Sequence, residues 1–153
     1  MPSCEVDLRA VDADDPDARG LVGAYFAELQ SRLGGFDPPS KEQLRTAATR
    51  GVILVAYDAN TPVACGSLRL LDEKTAEVKR MFVAPEARGR GFGRIVLRAL
   101  EDRARSLKCT RIVLDTAAPL EEAARMYLRE GYLEVRRYND NPYAARWFEK
   151  GLT

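Results

Sequence analysis

The chain has 153 residues, 46% of them apolar and 31% charged, with 24 basic against 23 acidic side chains and a net charge of +1. That size and balance favour one domain over residues 1–153 with a sizeable core, and they exclude a global field that would draw nucleic acid or a membrane surface. Histidine is absent, which removes Ser-His-Asp and Cys-His nucleophilic sites and the usual zinc sites, so no metal is expected.

Residues 5–10 alternate polar and apolar and read as a first strand. Asp14-Asp15-Pro16 then opens a helix, with Leu21, Val22, Tyr25, Phe26 and Leu29 at helical spacing and Gly34-Gly35 as its stop. After a loop over residues 36–39, Ser40-Lys41-Glu42-Gln43 resembles a capping box opening a short second helix. Residues 52–58 and 63–71 form a hairpin about a turn at Asn60-Thr61, and residues 75–83 form a further strand ended by Pro85. Phe92, Ile95, Val96, Ala99, Leu100, Ala104 and Leu107 make one apolar helix face. Residues 111–115 read as a buried strand, 119–130 as a helix stopped by Gly131, 132–138 as a strand, 139–142 as a turn and 147–149 as a last short strand. The order β-αα-βββ-α-β-α-ββ describes a mixed α/β sheet, antiparallel at first, with parallel pairing around the helix that starts at Phe92.

The N-terminus, Met1-Pro2-Ser3-Cys4-Glu5-Val6-Asp7, lacks the basic and apolar regions of a signal peptide, and no apolar run approaches the ~20 residues of a membrane span. Cys4, Cys65 and Cys109 are widely spaced and read as reduced thiols. A cytoplasmic location is expected.

The most informative stretch is Arg88-Gly89-Arg90-Gly91-Phe92-Gly93-Arg94, set between a strand and a helix. Alternating glycines suit a loop whose backbone comes very close to something. The helix start behind it offers free N–H groups and a positive dipole end, so the pair suits a phosphate or pyrophosphate. The dinucleotide fingerprint G-x-G-x-x-G fails because position 94 is Arg, and no G-x-x-x-x-G-K-[ST] run exists. Arg-Gly tracts that bind RNA are long and disordered, and a plain turn would need only one glycine.

Arg88-x-x-Gly91-x-Gly93, preceded by Val83-x-Pro85, resembles the acetyl-CoA loop of the GNAT superfamily of N-acetyltransferases. The resemblance implies the GNAT-like fold, a central, mostly antiparallel sheet of about seven strands flanked by four helices. It implies acetyl-CoA as co-substrate, with Arg88, Gly89, Arg90, Gly91, Phe92, Gly93 and Arg94 around the pyrophosphate. Met81, Phe82 and Val83 would pair by backbone with the pantetheine arm.

Ala123-x-x-Met126-Tyr127-x-x-x-Gly131-Tyr132 resembles the family's A-x-x-L-Y-x-x-x-G-F signature, which implies that Tyr127 faces the thioester sulfur as general acid. A phenol can protonate a departing thiolate without competing as a strong nucleophile. The family often carries Asn three residues before the Ala; here that position is Leu120.

An alkyl amine arrives protonated and must lose a proton before it attacks. Several family members place a Glu base where Glu77 stands, six residues before Val83. Strand alternation puts Glu77, Lys79, Met81 and Val83 on one face and Val78, Arg80 and Phe82 on the other. Asp115, at the C-terminal end of the next strand, is the alternative base.

The reaction so implied is direct attack of an amine on acetyl-CoA in a ternary complex. A backbone N–H near Val83 would hold the carbonyl oxygen as it gains charge. The acceptor walls are expected from Tyr25, Phe26, residues 32–39 and the tail 138–143, with Asp140 able to meet a cation. A small-molecule or amino-acid amine is the first choice of acceptor, and a protein N-terminus or lysine the second. A non-catalytic acyl-CoA-binding regulatory module and a protein using the loop for another nucleotide are the readings from other classes. Neither nucleic acid nor membrane is an expected partner, and homodimerisation is left open.

Overall fold

The computed structural model describes residues 6–40, 43 and 51–153. Its seven strands form one sheet in the order β1-β2-β3-β4-β5-β7-β6, antiparallel throughout except for the β4–β5 pair. The strands are β1 (Asp7–Val11), β2 (Gly51–Asp58), β3 (Thr61–Leu70), β4 (Thr75–Val83), β5 (Arg111–Thr116), β6 (Leu133–Val135) and β7 (Arg146–Gly151). Three α-helices are described: α1 (Pro16–Leu33), α2 (Phe92–Ser106) and α3 (Glu121–Arg129). The expected helix after Ser40 lies outside the described residues. Its opening contact is present: the Gln43 amide donates to Ser40 Oγ at 3.1 Å, and the Ser40 amide donates to Gln43 Oε1 at 2.8 Å. Among the described residues, no helix is long and apolar enough to cross a membrane.

The helices divide the core between the two sheet faces. α1 covers one face, where Ala18 and Leu21 meet Val55, Tyr57, Cys65 and Phe82. α2 covers the other, burying Phe92, Val96, Leu97 and Leu100 against Leu54, Leu68, Val78 and Leu114, and α3 adds Ala124 and Tyr127 to that cluster. α1 starts where Asp15 accepts a hydrogen bond from the Ala18 amide at 3.0 Å, with Pro16 in its first turn, and stops at Gly34 in the left-handed conformation. The β2–β3 turn uses Ala59 and Asn60, both at positive φ, as a two-residue hairpin of this twist requires.

β4 departs from strict alternation. Cys65 faces Phe82 and Ser67 faces Lys79, so Arg80 and Met81 together oppose Gly66 in a β-bulge, with Arg80 at φ +55°. The bulge exchanges the faces beyond it. Val78, Met81 and Val83 pack on the α2 side, whereas Phe82 packs with α1. The alternation expected from sequence therefore holds only up to Lys79. A Cβ at Gly66 would lie 2.5 Å from Met81 Sδ and 3.0 Å from Leu100 and Val96, so glycine is what lets the bulge lie against α2.

The β4–β5 ladder runs only from Thr75↔Arg111 to Val78↔Leu114, although both strands continue. Beyond that point they part and leave a cleft in the sheet. β6 is three residues long, not the seven expected over 132–138, because the chain leaves the sheet edge and brings Tyr138 and Asn139 back onto Glu77.

Candidate active site

The gap between β4 and β5 opens into two adjoining cavities. The larger, about 750 Å³, lies over the glycine loop and the start of α2. Gly89 and Gly91 have φ of +82° and +87°, and Gly91 is the N-cap of α2. An L side chain at either position would be strained. Gly93 serves a different purpose: a Cβ there would sit 3.3 Å from both Met126 Sδ and Val83 Cγ2, so its absence lets α2, α3 and β4 approach. The first turn of α2 has N–H groups without intrahelical partners. Arg88, Arg94 and Arg129 add positive charge to the walls. These features fit the pyrophosphate of a CoA ester.

Met81, Phe82, Val83, Arg88, Gly89, Gly91, Phe92, Gly93 and Arg94 all line this cavity. Arg90 does not; it pairs with Asp58 at 2.9 Å and lies over the Phe92 ring. Arg88 Nε donates to the Val83 carbonyl at 3.0 Å, and its guanidinium pairs with Glu28 of α1 at 2.7 Å.

The second cavity, about 460 Å³, is walled by Tyr25 and Phe26 of α1, by residues 36–39, and by Asp115, Thr116, Asn141 and Tyr143. This is largely the acceptor wall expected from sequence. The Phe36 and Tyr143 rings lie 4.7 Å apart, and the Asp37 amide donates to the Tyr143 hydroxyl at 3.1 Å, joining the α1 side to the tail. Asp140 points away: it is fully exposed and pairs with Arg137 at 3.6 Å.

Tyr127 lines both cavities. Its ring is fixed by Tyr132 and Phe148, each 5.8 Å away between centroids. No protein group among the described residues hydrogen-bonds its hydroxyl. Burial pushes that hydroxyl well above the ordinary phenol range, so it is a neutral O–H donor at physiological pH. Leu120, also on the cleft wall, precedes α3 without a side-chain cap; the Glu122 carboxylate takes its own backbone N–H instead, which lowers its pKa.

Glu77 is 1% exposed and lines neither cavity. Its carboxylate accepts from Arg69 Nε at 2.8 Å, the Tyr138 hydroxyl at 2.7 Å and Asn139 Nδ2 at 3.4 Å. Asn139 Nδ2 also donates to Asp115 at 2.6 Å, and Lys79 Nζ is 2.9 Å from Asp115 and 3.8 Å from Glu77. The two carboxylates thus belong to one network, with Asp115 at the cleft and Glu77 behind it. Asn139 and Asn141, expected from sequence as turn residues of the acceptor-wall tail, both donate to Asp115. Cys65 and Cys109 are buried free thiols; burial pushes Cys65 up to about 12 and raises Cys109, so neither supplies a thiolate at neutral pH. Cys4 lies outside the described residues.

The acetyltransferase (GNAT) family profile matches residues 18–132. The chain is 34% identical over 118 residues to an IAA acetyltransferase of Azospirillum brasilense, covering 74% of this chain and 77% of that one. It is 31% identical over 149 residues to an uncharacterized N-acetyltransferase of Schizosaccharomyces pombe, covering 93% and 91%. A GNAT family acetyltransferase of Elizabethkingia anophelis, solved with acetyl-CoA bound, shares the fold with a TM-score of 0.72, at 19% identity over 96% of this chain and 98% of that one.

Proposed function

Because the chain belongs to the acetyltransferase (GNAT) family and is an acyltransferase, we propose that it moves the acetyl group of acetyl-CoA to the primary amine of a small molecule or amino acid. Attack is direct, in a ternary complex held by one acetyltransferase domain over residues 1–153. The observation that carries this reading is the position of Tyr127, whose hydroxyl has no protein partner among the described residues and whose side chain lines both the glycine-loop cavity and the aromatic one.

The chain's own groups divide the work. The α2 N-terminus and the loop residues Arg88 to Arg94 take the pyrophosphate. Past Val78, the β4 backbone has no β5 partner, so Met81, Phe82 and Val83 are available to an extended arm in the gap. Holding both substrates in that gap aligns them, which supplies much of the rate. Tyr127 donates its proton to the sulfur as the thioester breaks. The amine's proton passes to the carboxylate network, with Asp115 facing the acceptor cavity and Glu77, tied to it through the shared donor Asn139, accepting the proton by way of water.

The test is CoA thiol release from acetyl-CoA over amines, amino acids, polyamines and short peptides. Release with one chemical class is the expected result. Glu77→Gln should move the acid limb of the pH–rate profile to higher pH. An unmoved profile, with Asp115→Asn displacing it instead, would assign the proton to Asp115 alone. Stabilisation of the protein by ATP or NAD but not by CoA would sink the acetyl-transfer reading.

A further inference from the structure

Arg80 is the unexplained residue of the acceptor cavity. Among the described residues, two basic side chains line that cavity, Lys79 and Arg80. Lys79 is tied to Asp115 at 2.9 Å. Arg80 is half-buried and has neither a hydrogen bond nor an ion pair from its guanidinium to any protein group among the described residues. A guanidinium withdrawn from water and left unpaired is costly, and burial is the leading influence on Arg80, lowering its pKa. Its backbone is also unusual, at φ +55° in the β4 bulge, a conformation bulky residues avoid. Such strain persists where the surrounding sheet enforces it, and it gathers at ligand sites.

A second group in the same wall is unsatisfied. Thr116 Oγ1 is buried with no hydrogen-bond partner, in a residue only 6% exposed. Thr116 lines the acceptor cavity next to Asp115. The cavity therefore offers a free cation and a carboxylate. Asp115, Arg80 and Tyr25 all line this cavity, so the two opposite charges share one locality. Past Lys79 and Arg80, the wall continues into an apolar space of about 210 Å³ beneath α1, bounded by Val22, Ile53 and Leu68.

We propose that Arg80 binds the carboxylate of the acceptor, and that the acceptor is a free α-amino acid with an apolar side chain. Its amine faces Asp115 and Tyr127, its carboxylate takes the guanidinium in a charge-assisted pair, and its side chain enters the space under α1. This assignment rests on the acetyl-transfer reading and narrows it: simple amines, polyamines and lysine side chains lack the group Arg80 is built to meet.

The test compares leucine, methionine and phenylalanine with their amides and with the amines formed by removing the carboxyl group, using thiol release. CoA binding is measured separately by calorimetry. At least one free amino acid should exceed its amide and amine in kcat/KM by about a hundredfold, the scale of a buried charge left without its partner. In Arg80→Gln that preference should collapse to within about twofold of unity, and Arg80→Lys should recover part of it. A purely structural Arg80 would lower acid and amide equally and leave the ratio intact, which overturns the proposal. Amides or amines used as well as the acids, or no turnover of any acid, also overturn it. If CoA still binds and another amine class is acetylated, acetyl transfer stands and only the carboxylate assignment falls. If wild-type protein fails to bind CoA, the acetyl-transfer reading falls with it.

Discussion

Tyr127 is held by packing, with its ring against Tyr132 and Phe148 and its hydroxyl left to the cleft. Tyr127→Phe should therefore keep the fold and the CoA affinity while lowering kcat about a hundredfold, the usual scale of a positioned acid. Single-turnover kinetics alongside calorimetry would check this, and unchanged turnover would reduce Tyr127 to core packing. Its place was legible because a helix-borne Tyr four residues before a stopping Gly is a local pattern. The surroundings of Glu77 were not legible. Its strand position was readable, but Tyr138 and Asn139, which hold its carboxylate, come from 61 and 62 residues away. The role of Arg80 is not legible for a related reason: an unpaired arginine is defined by the partners it lacks, and a sequence does not display those.

At the scale of elements, the strand–loop–helix unit depends on backbone more than on side chains. Gly91→Val would force a β-branched residue to φ +87° at the N-cap of α2, at a cost of about 1–3 kcal/mol, and would crowd the pyrophosphate site. Calorimetry should show CoA binding lost while circular dichroism shows the helices retained; normal affinity would remove the loop from the site. Periodicity located β4 to the residue, because Thr75 and Pro85 bracket it, and located α2 to within one residue at its end. It failed inside β4. A period-two reading assumes an unbroken ladder, and the bulge at Arg80 and Met81 moves Met81 and Val83 across to the α2 side. Gly66, opposite the bulge, was the available signal, since an isolated glycine within a strand often marks one.

For the whole molecule, the buried and half-buried tyrosines set an alkaline limit. Burial, the leading cause in each case, pushes Tyr25 up to about 12 and raises Tyr127 and Tyr132 above the ordinary phenol value. In the unfolded chain each titrates near ~10. Above that pH the folded chain keeps protons that the unfolded chain releases, so stability falls as pH rises. Below it these groups impose no pH dependence. The guanidinium chloride midpoint should hold steady from about pH 7 to 9 and drop from about pH 10 upward, together with the rise of tyrosinate absorbance. A midpoint unchanged to about pH 11.5 would contradict this account. The overall topology was readable because most neighbouring strands are also neighbours in sequence. The insertion of β7 between β5 and β6 was not, since nothing local distinguishes an inner strand of six residues from an edge.

The short parallel ladder between β4 and β5 carries a wider consequence. The strands β1 to β4 and the strands β5, β7 and β6 are joined in the sheet through four residue pairs only, from Thr75↔Arg111 to Val78↔Leu114. Whatever lies in the opening beyond them acts as a rivet between two plates. A ligand held there at a hundred times its Kd would add about 2.7 kcal/mol to the folded state. The chain's resistance to heat and to proteases would then follow the supply of that ligand, and its lifetime in a cell would become a gauge of its own substrate.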